Sequence, residues 1–157
     1  MKNWTSALGL TKLDGTPVGD ALDGKVLLVV NVASYCGYTP QYPGLVALHH
    51  ELAGEKFAVV GVPCNQFGAQ EPGSADDIAK FCTTMYAVDF PLLAKQDVNG
   101  PARSALYQHL VGSGADIKWN FEKFVVDKTG TVRGRYGSGT KPQDATLRTA
   151  IVDALGA

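Results

Sequence analysis

A predicted strand passes into a predicted helix within the segment Asn31-Val32-Ala33-Ser34-Tyr35-Cys36-Gly37-Tyr38-Thr39-Pro40. The apolar run Val26–Val30 before it is typical of a buried strand, whereas its last two residues suit the cap and the first position of a helix. Cys36 then lies near the amino end of that helix, where unpaired N–H groups and the helix dipole favour the nucleophilic thiolate. The alternative is an inert buried thiol. The neighbouring Gly37 permits close approach to Cys36, which favours a reactive thiol.

Length and composition indicate one ordinary globular domain. The chain has 157 residues, with 14 Lys and Arg against 15 Asp and Glu and a formal net charge of −1. This balance argues against a nucleic-acid partner, which usually requires a basic face. The longest apolar run is far shorter than the ~20 residues of a membrane span, and residues 1–6 lack the apolar core of a signal peptide. We therefore predict a cytoplasmic protein without a membrane span.

The order of elements predicts an α/β thioredoxin fold over residues 1–157. Residues ~5–20 predict an amino-terminal hairpin around the turn at Asp14-Gly15. A strand, a helix with the apolar stripe Leu45, Leu48 and Leu52, and a second strand follow, which implies parallel pairing. A helical insertion precedes the last β-hairpin and the final helix. The thioredoxin plan places its reactive cysteine where Cys36 lies, and Thr39 replaces the second cysteine of an exchange motif.

The insertion contains two clear local signals. Ser74, followed by two aspartates, predicts a helix cap with an acidic first turn. The segment Phe90-Pro91-Leu92-Leu93 is predicted to be extended, and its proline restricts it to an edge or a strand start.

The three cysteines, Cys36, Cys64 and Cys82, form no C-x-x-C pair, which argues against a disulfide framework. Cys82 lies on the helix predicted after Ser74. It is either a half-buried structural residue or a thiol that reacts with oxidised Cys36, and Cys64 is a competitor for that role. A disulfide needs Cα atoms within ~7 Å, and from position alone the structural interpretation of Cys82 is favoured.

Gln70, Trp119 and Asn120 carry neutral N–H donors that suit a thiolate and a peroxide. From spacing alone, loop capping by the two amides and a partly buried indole are the favoured interpretations. No pattern predicts a metal or another cofactor: His49 and His50 point to different sides of a helix, and the glycine-rich segments lack a nucleotide-binding motif.

Several motifs together resemble the glutathione peroxidase family over nearly the whole chain. They are Asn31-Val32-Ala33-Ser34-x-Cys36-Gly37-x-Thr39, Pro63-Cys64-Asn65-Gln66-Phe67-Gly68-x-Gln70-Glu71-Pro72-Gly73, Lys118-Trp119-Asn120-Phe121-x-Lys123-Phe124 and Lys128-x-Gly130-x-Val132-x-x-Arg135-Tyr136. The resemblance implies an extended thioredoxin fold and reduction of hydroperoxides. It implies that Cys36 is the peroxidatic residue and that Gln70, Trp119 and Asn120 complete a catalytic tetrad.

The segment around Cys82 resembles the region that holds the resolving cysteine in the thioredoxin-dependent branch of that family. The resemblance therefore implies a Cys36–Cys82 disulfide recycled by thioredoxin, with glutathione the less favoured reductant. The short connection between Val111 and Ile117 implies a monomer or weak dimer and an open site that admits lipid hydroperoxides.

The predicted function is thus a thiol peroxidase for hydrogen peroxide and for organic or lipid hydroperoxides. One alternative is a peroxide sensor that passes oxidation from the same cysteine pair to a partner protein. Others are a glutathione-dependent peroxidase and a non-catalytic binding domain, which the intact set of site residues disfavours.

Overall fold

A four-stranded sheet forms the centre of the protein in the computed structural model, which describes residues 3–157. Its strands are β1 (Val26–Val32), β2 (Phe57–Pro63), β3 (Lys123–Val126) and β4 (Val132–Tyr136), in the order β2-β1-β3-β4. β1 and β2 are parallel, whereas β3 is antiparallel to both of its neighbours. The α-helices are α1 (Trp4–Ala7), α2 (Tyr42–Leu52), α3 (Ala75–Tyr86), α4 (Ala105–Val111) and α5 (Ala145–Gly156). This is the predicted thioredoxin fold, and α3 and α4 are its helical insertion.

Both faces of β1 are covered, as its uninterrupted apolar run predicts. Alternate side chains of a strand point to opposite faces. On one face Leu28 and Val30 pack with α2, α3 and α5 in what we call the first core cluster. On the other face Leu27 and Val29 pack with α4 in the second core cluster. The predicted stripe of α2 is buried in the first cluster and consists of Leu45, Leu48 and Leu52.

The cap predicted at Ser74 is confirmed. Ser74 Oγ accepts the N–H of Asp77 at 3.2 Å, and the Asp77 carboxylate accepts the N–H of Ser74 at 3.1 Å. This reciprocal capping box satisfies two backbone donors that the first turn of α3 leaves unpaired.

The amino-terminal hairpin is much shorter than predicted. Residues 5–20 contain most of α1 and a single internal antiparallel bridge, between Thr11 and Pro17, while Lys12 bridges Leu93 outside the range. Asp14 closes the turn by accepting the N–H and the hydroxyl of Thr16. Pro17 has no N–H to donate, which limits a ladder at this position.

The segment around Pro91 lies on the outer edge of β2, as its proline predicts. Gly61 donates its N–H to the Pro91 carbonyl and accepts the N–H of Leu93, both at 2.9 Å. Within residues 3–157, no helix is both long enough and apolar enough to cross a membrane.

Candidate active site

Three chain segments meet at one edge of the sheet. Because β1 and β2 are parallel, their carboxyl ends lie side by side, and the antiparallel β3 brings its amino end to the same place. Cys36 follows β1, Gln70 follows β2, and Trp119 and Asn120 precede β3. The topology therefore collects all four predicted tetrad residues at this edge, although they are far apart in sequence.

The loop that carries Cys36 is fixed by its own hydrogen bonds. The Cys36 N–H donates to Thr39 Oγ1 at 3.0 Å, and that hydroxyl donates to the Ala33 carbonyl at 2.8 Å. Thr39 thus closes the loop and does not cap the helix, since a short 3₁₀ turn (Thr39–Gln41) separates the loop from α2. Cys36 is 8% exposed, and its Sγ accepts the N–H of Tyr38 at 3.3 Å. This contact places a main-chain donor of the same loop at the sulfur.

Gln70 and Asn120 are in direct contact. Asn120 Nδ2 donates to Gln70 Oε1 at 2.9 Å, and the Asn120 side chain is fully buried. The Gln70 main-chain carbonyl accepts the N–H of Tyr35 at 3.1 Å, which ties Gln70 to the residue before Cys36. Because Gln70 Oε1 is engaged by Asn120, the Nε2 hydrogens of Gln70 are left for another acceptor. Asn120 Nδ2 also lies 3.5 Å from the Phe67 carbonyl, so the same amide caps the loop after β2 and contacts Gln70.

Trp119 is half-buried beside the same loop. Its ring packs on Phe67 with centroids 5.8 Å apart, and it contacts both core clusters, the first of which includes Cys36. A Cβ on Gly68 would come within 3.2 Å of the indole, so this position suits a glycine. Asn31, at the end of β1, donates from Nδ2 to the Trp119 carbonyl at 3.0 Å and so holds the indole segment against β1.

Glu71 is a buried carboxylate that the sequence analysis did not single out. It has no exposed surface, and its Oε1 accepts both the N–H and the hydroxyl of Ser34, the former at 3.0 Å. Burial raises its pKa, while the bonds from Ser34 and the charge of Lys95 act in the opposite direction. Glu71 thereby joins the loop after β2 to the loop that carries Cys36. A charged residue directly after Gln70 and a serine in the Cys36 segment were the available signals.

Cys36 and Cys82 share the first core cluster, whereas Cys64 belongs to the second, on the opposite face of the sheet. All three are free thiols. Cys82 is 1% exposed, and its Sγ lies 3.5 Å from the hydroxyl oxygen of Tyr42. Burial raises the pKa of both the Cys82 and the Cys64 thiol. The arrangement favours Cys82 over Cys64 as the partner of Cys36.

The two adjacent histidines do point to different sides. His49 Nδ1 accepts the N–H of Val59 at 3.2 Å, and His50 Nε2 pairs with Asp89 at 2.5 Å. Across residues 3–157, no group of three or more His, Cys, Asp or Glu side chains is arranged to hold a metal ion.

Known proteins of similar sequence and fold indicate one family. The family model for glutathione peroxidase matches residues 7–111. "Hydroperoxy fatty acid reductase Gpx2" of Synechocystis is 57% identical over 148 residues, covering 94% of this chain and 96% of the relative. "Glutathione peroxidase-like peroxiredoxin HYR1" of Saccharomyces cerevisiae is 53% identical over 129 residues, covering 78% and 79%. The crystal structure of T. cruzi GPX1 superposes with a TM-score of 0.75 at 31% identity and covers 94% of both chains. On the strength of the family model, the long high-identity matches and the shared fold, this chain belongs to the glutathione peroxidase family and is a peroxidase.

Proposed function

We propose that this peroxidase reduces hydrogen peroxide and the hydroperoxides of fatty acids through Cys36, and that Cys82 and thioredoxin regenerate it. The observation that carries the proposal is the convergence at one sheet edge: a backbone N–H on the Cys36 sulfur, the paired amides of Gln70 and Asn120, and the Trp119 indole. The name of the Synechocystis relative, a hydroperoxy fatty acid reductase, supports fatty acid hydroperoxides as the substrate class.

In the first step the Cys36 thiolate attacks the terminal oxygen of the hydroperoxide. The S–O bond forms as the O–O bond breaks, and the leaving alkoxide takes up a proton to become an alcohol, or water when the substrate is hydrogen peroxide. Cys36 becomes a sulfenic acid. Neutral donors from Gln70 and Trp119 stabilise the charge that develops on the leaving oxygen.

In the second step the Cys82 thiolate attacks the Cys36 sulfur, expels hydroxide that is protonated to water, and forms a disulfide. In the reduced fold Cys82 cannot do this well, because its thiol is buried against Tyr42 and burial raises its pKa. We therefore assign a local opening of α3 to this step. Only Ile78 and Cys82 of the twelve residues in α3 are buried, and Phe81 and Tyr86 pack against the first core cluster while partly exposed, so a limited apolar contact resists its release.

In the third step a thioredoxin dithiol reduces the disulfide by thiol–disulfide exchange. Support comes from the yeast relative, which is named a peroxiredoxin, and from the separation of Cys64 from the other two cysteines. We propose that the reaction runs in the cytoplasm, in a monomer or weak dimer. Sedimentation velocity over a range of concentrations tests the oligomeric state.

The deciding experiment supplies the enzyme with peroxide and either thioredoxin or glutathione. Cys36→Ser should lose all turnover. Cys82→Ser should retain one stoichiometric oxidation by peroxide and lose thioredoxin-driven cycling. Cys64→Ser is the matched control, a buried thiol on the opposite face, and should keep both. Full cycling of Cys82→Ser with thioredoxin would rule out the resolving role of Cys82. Faster turnover of the wild-type enzyme with glutathione than with thioredoxin would rule out thioredoxin as the reductant.

A further inference from the structure

A preformed groove of about 410 Å³ adjoins the loop of Cys36. It begins at Gly37 and Tyr38, directly after the reactive cysteine, and runs between the start of α2 and the loop that follows β4. Its size is within the ~300–1,000 Å³ usual for small-molecule sites. The groove therefore begins one residue beyond Cys36 in the chain and extends across the surface between α2 and the loop after β4.

The walls of the groove are held together by a direct contact. Gln143 Nε2 donates to the Gly44 carbonyl at 2.9 Å, which joins α2 to the loop after β4. A Cβ on Gly44 would lie 2.7 Å from Gln143 Oε1 and 3.1 Å from Pro142 Cγ. Gly44 thus permits the close approach of the two walls, and the groove does not depend on a ligand for its shape.

The lining is mostly apolar with one charge. The Tyr38 ring, Pro40 and Pro142 supply apolar surface, and Lys141 is the only charged side chain among the described residues that line the groove. The Lys141 side chain is exposed, and no carboxylate lines the groove to neutralise it. An apolar groove with a single ammonium group suits an amphipathic anion with a long apolar body.

We infer that this groove is the binding site for the carboxyl half of a free fatty acid hydroperoxide. The acyl chain lies along Tyr38, Pro40 and Pro142, the carboxylate pairs with Lys141, and the carbon that carries the hydroperoxide is placed at Cys36. This inference rests on the proposed function. It adds a preference for the free acid over its ester, because an ester carries no charge for Lys141 to bind.

The test compares kcat/KM for three substrates under saturating thioredoxin: the hydroperoxide of linoleic acid, the methyl ester of that hydroperoxide, and hydrogen peroxide. Lys141→Met should lower kcat/KM for the free acid by about fivefold, the upper range for an exposed ion pair. It should leave the ester and hydrogen peroxide unchanged, and Lys141→Arg should retain the wild-type preference. Lys118→Met is the matched control, since it removes an exposed lysine beside Trp119, away from the groove.

An equal loss for acid and ester in Lys141→Met overturns the inference, and so does an acid-specific loss in Lys118→Met. In a separate titration of thioredoxin with hydrogen peroxide as the substrate, a change in Lys141→Met that is confined to the KM for thioredoxin assigns the groove to the reductant and also overturns the inference. These results are distinct from a failure of the proposed function. That failure is an absence of hydrogen peroxide turnover by the wild-type enzyme with any thiol reductant, whereas turnover with an unchanged acid-to-ester ratio rejects the groove alone.

Discussion

Truncation of Ile78 should make the peroxidase resolve its sulfenic acid faster, although it makes the fold less stable. Ile78 is 1% exposed and, with Cys82, is one of the two buried residues of α3. Replacing a buried isoleucine by alanine costs about 2–5 kcal/mol of folding free energy. If α3 must leave the core before Cys82 reaches Cys36, the contacts of Ile78 are already lost in the open state. The substitution then lowers the free energy of opening by nearly its full cost.

The expected size of the effect follows from that cost. At the lower end, about 2 kcal/mol, the open population rises roughly 30-fold, since each 1.4 kcal/mol is a factor of ten. Disulfide formation limited by opening should accelerate by the same factor in Ile78→Ala. Ile151→Ala is the matched control, because Ile151 has no exposed surface and packs in the same first core cluster, but on α5. It should lose comparable stability and form the disulfide at the wild-type rate.

The assay oxidises the reduced protein with one equivalent of peroxide, quenches it with a thiol-alkylating reagent at successive times, and measures the disulfide by mass spectrometry. Urea denaturation supplies the loss of stability in each variant. The reasoning is refuted if Ile78→Ala loses about 2 kcal/mol or more and still forms the disulfide at the wild-type rate. An equal acceleration in Ile151→Ala also refutes it, because general loosening of the core would then be the cause.

Three further perturbations test the fixed parts of the site and of the fold. Asn120→Ala leaves Gln70 Oε1 without its donor and should slow peroxide oxidation of Cys36 by about 10²-fold, the usual loss for one such donor; stopped-flow fluorescence measures this rate, and an unchanged rate contradicts the tetrad role. Burial raises the pKa of Glu71 above its unfolded value of about 4.3. Its contribution to stability is therefore greatest below that pH and is lost as pH rises through the folded pKa. Glu71→Gln should remove this decline, which urea denaturation at a series of pH values measures, and a decline that persists rejects the assignment. At the β3–β4 turn, burial raises the pKa of Asp127, but hydrogen bonds from Thr129, Arg133 and Thr131 outweigh it and hold the pKa at about 2. That stabilisation is complete above the unfolded pKa of about 3.9 and is lost as pH falls toward the folded value. Because Arg133 is exposed, solvent screening reduces the stabilisation that this pKa shift represents. Asp127→Asn should therefore cost about 1–2 kcal/mol of folding free energy at neutral pH. A cost less than half of that contradicts the stabilising role of Asp127.

Local signals in the sequence predicted the elements that depend on neighbouring residues. The apolar run of β1, the leucine stripe of α2 and the capping box at Ser74 involve residues only a few positions apart. The amino-terminal hairpin was predicted over too long a range, because Pro17 limits its pairing. Thr39 was wrongly predicted as a helix cap, because its hydroxyl is used between Cys36 and Ala33.

The spacing of residues along the sequence could not predict which side chains contact each other in the candidate site. Gln70 and Asn120 meet across 50 positions of sequence, and only the order β2-β1-β3 brings the loops that carry them together. The resemblance to a family named these residues, but it did not provide their hydrogen bonds. Glu71 escaped notice for the same reason, since its partner Ser34 lies 37 positions away.

Cys36 lies on a segment that is held firmly, whereas Cys82 lies on a helix that is held weakly, and the two chemical steps explain this difference. Attack on a peroxide needs the sulfur and its donors to be held still, and three long-range contacts fix the Cys36 segment: those from Glu71 to Ser34, from Gln70 to Tyr35 and from Trp119 to Asn31. Resolution needs the second thiol to travel, and α3 buries only Ile78 and Cys82, with Phe81 and Tyr86 packed partly exposed against the same cluster. A firmer α3 would protect Cys82 but prolong the life of the sulfenic acid, which further peroxide oxidises irreversibly. The weak burial of α3 is therefore part of the catalytic design that we propose, and stabilising this helix should make the enzyme more sensitive to excess peroxide.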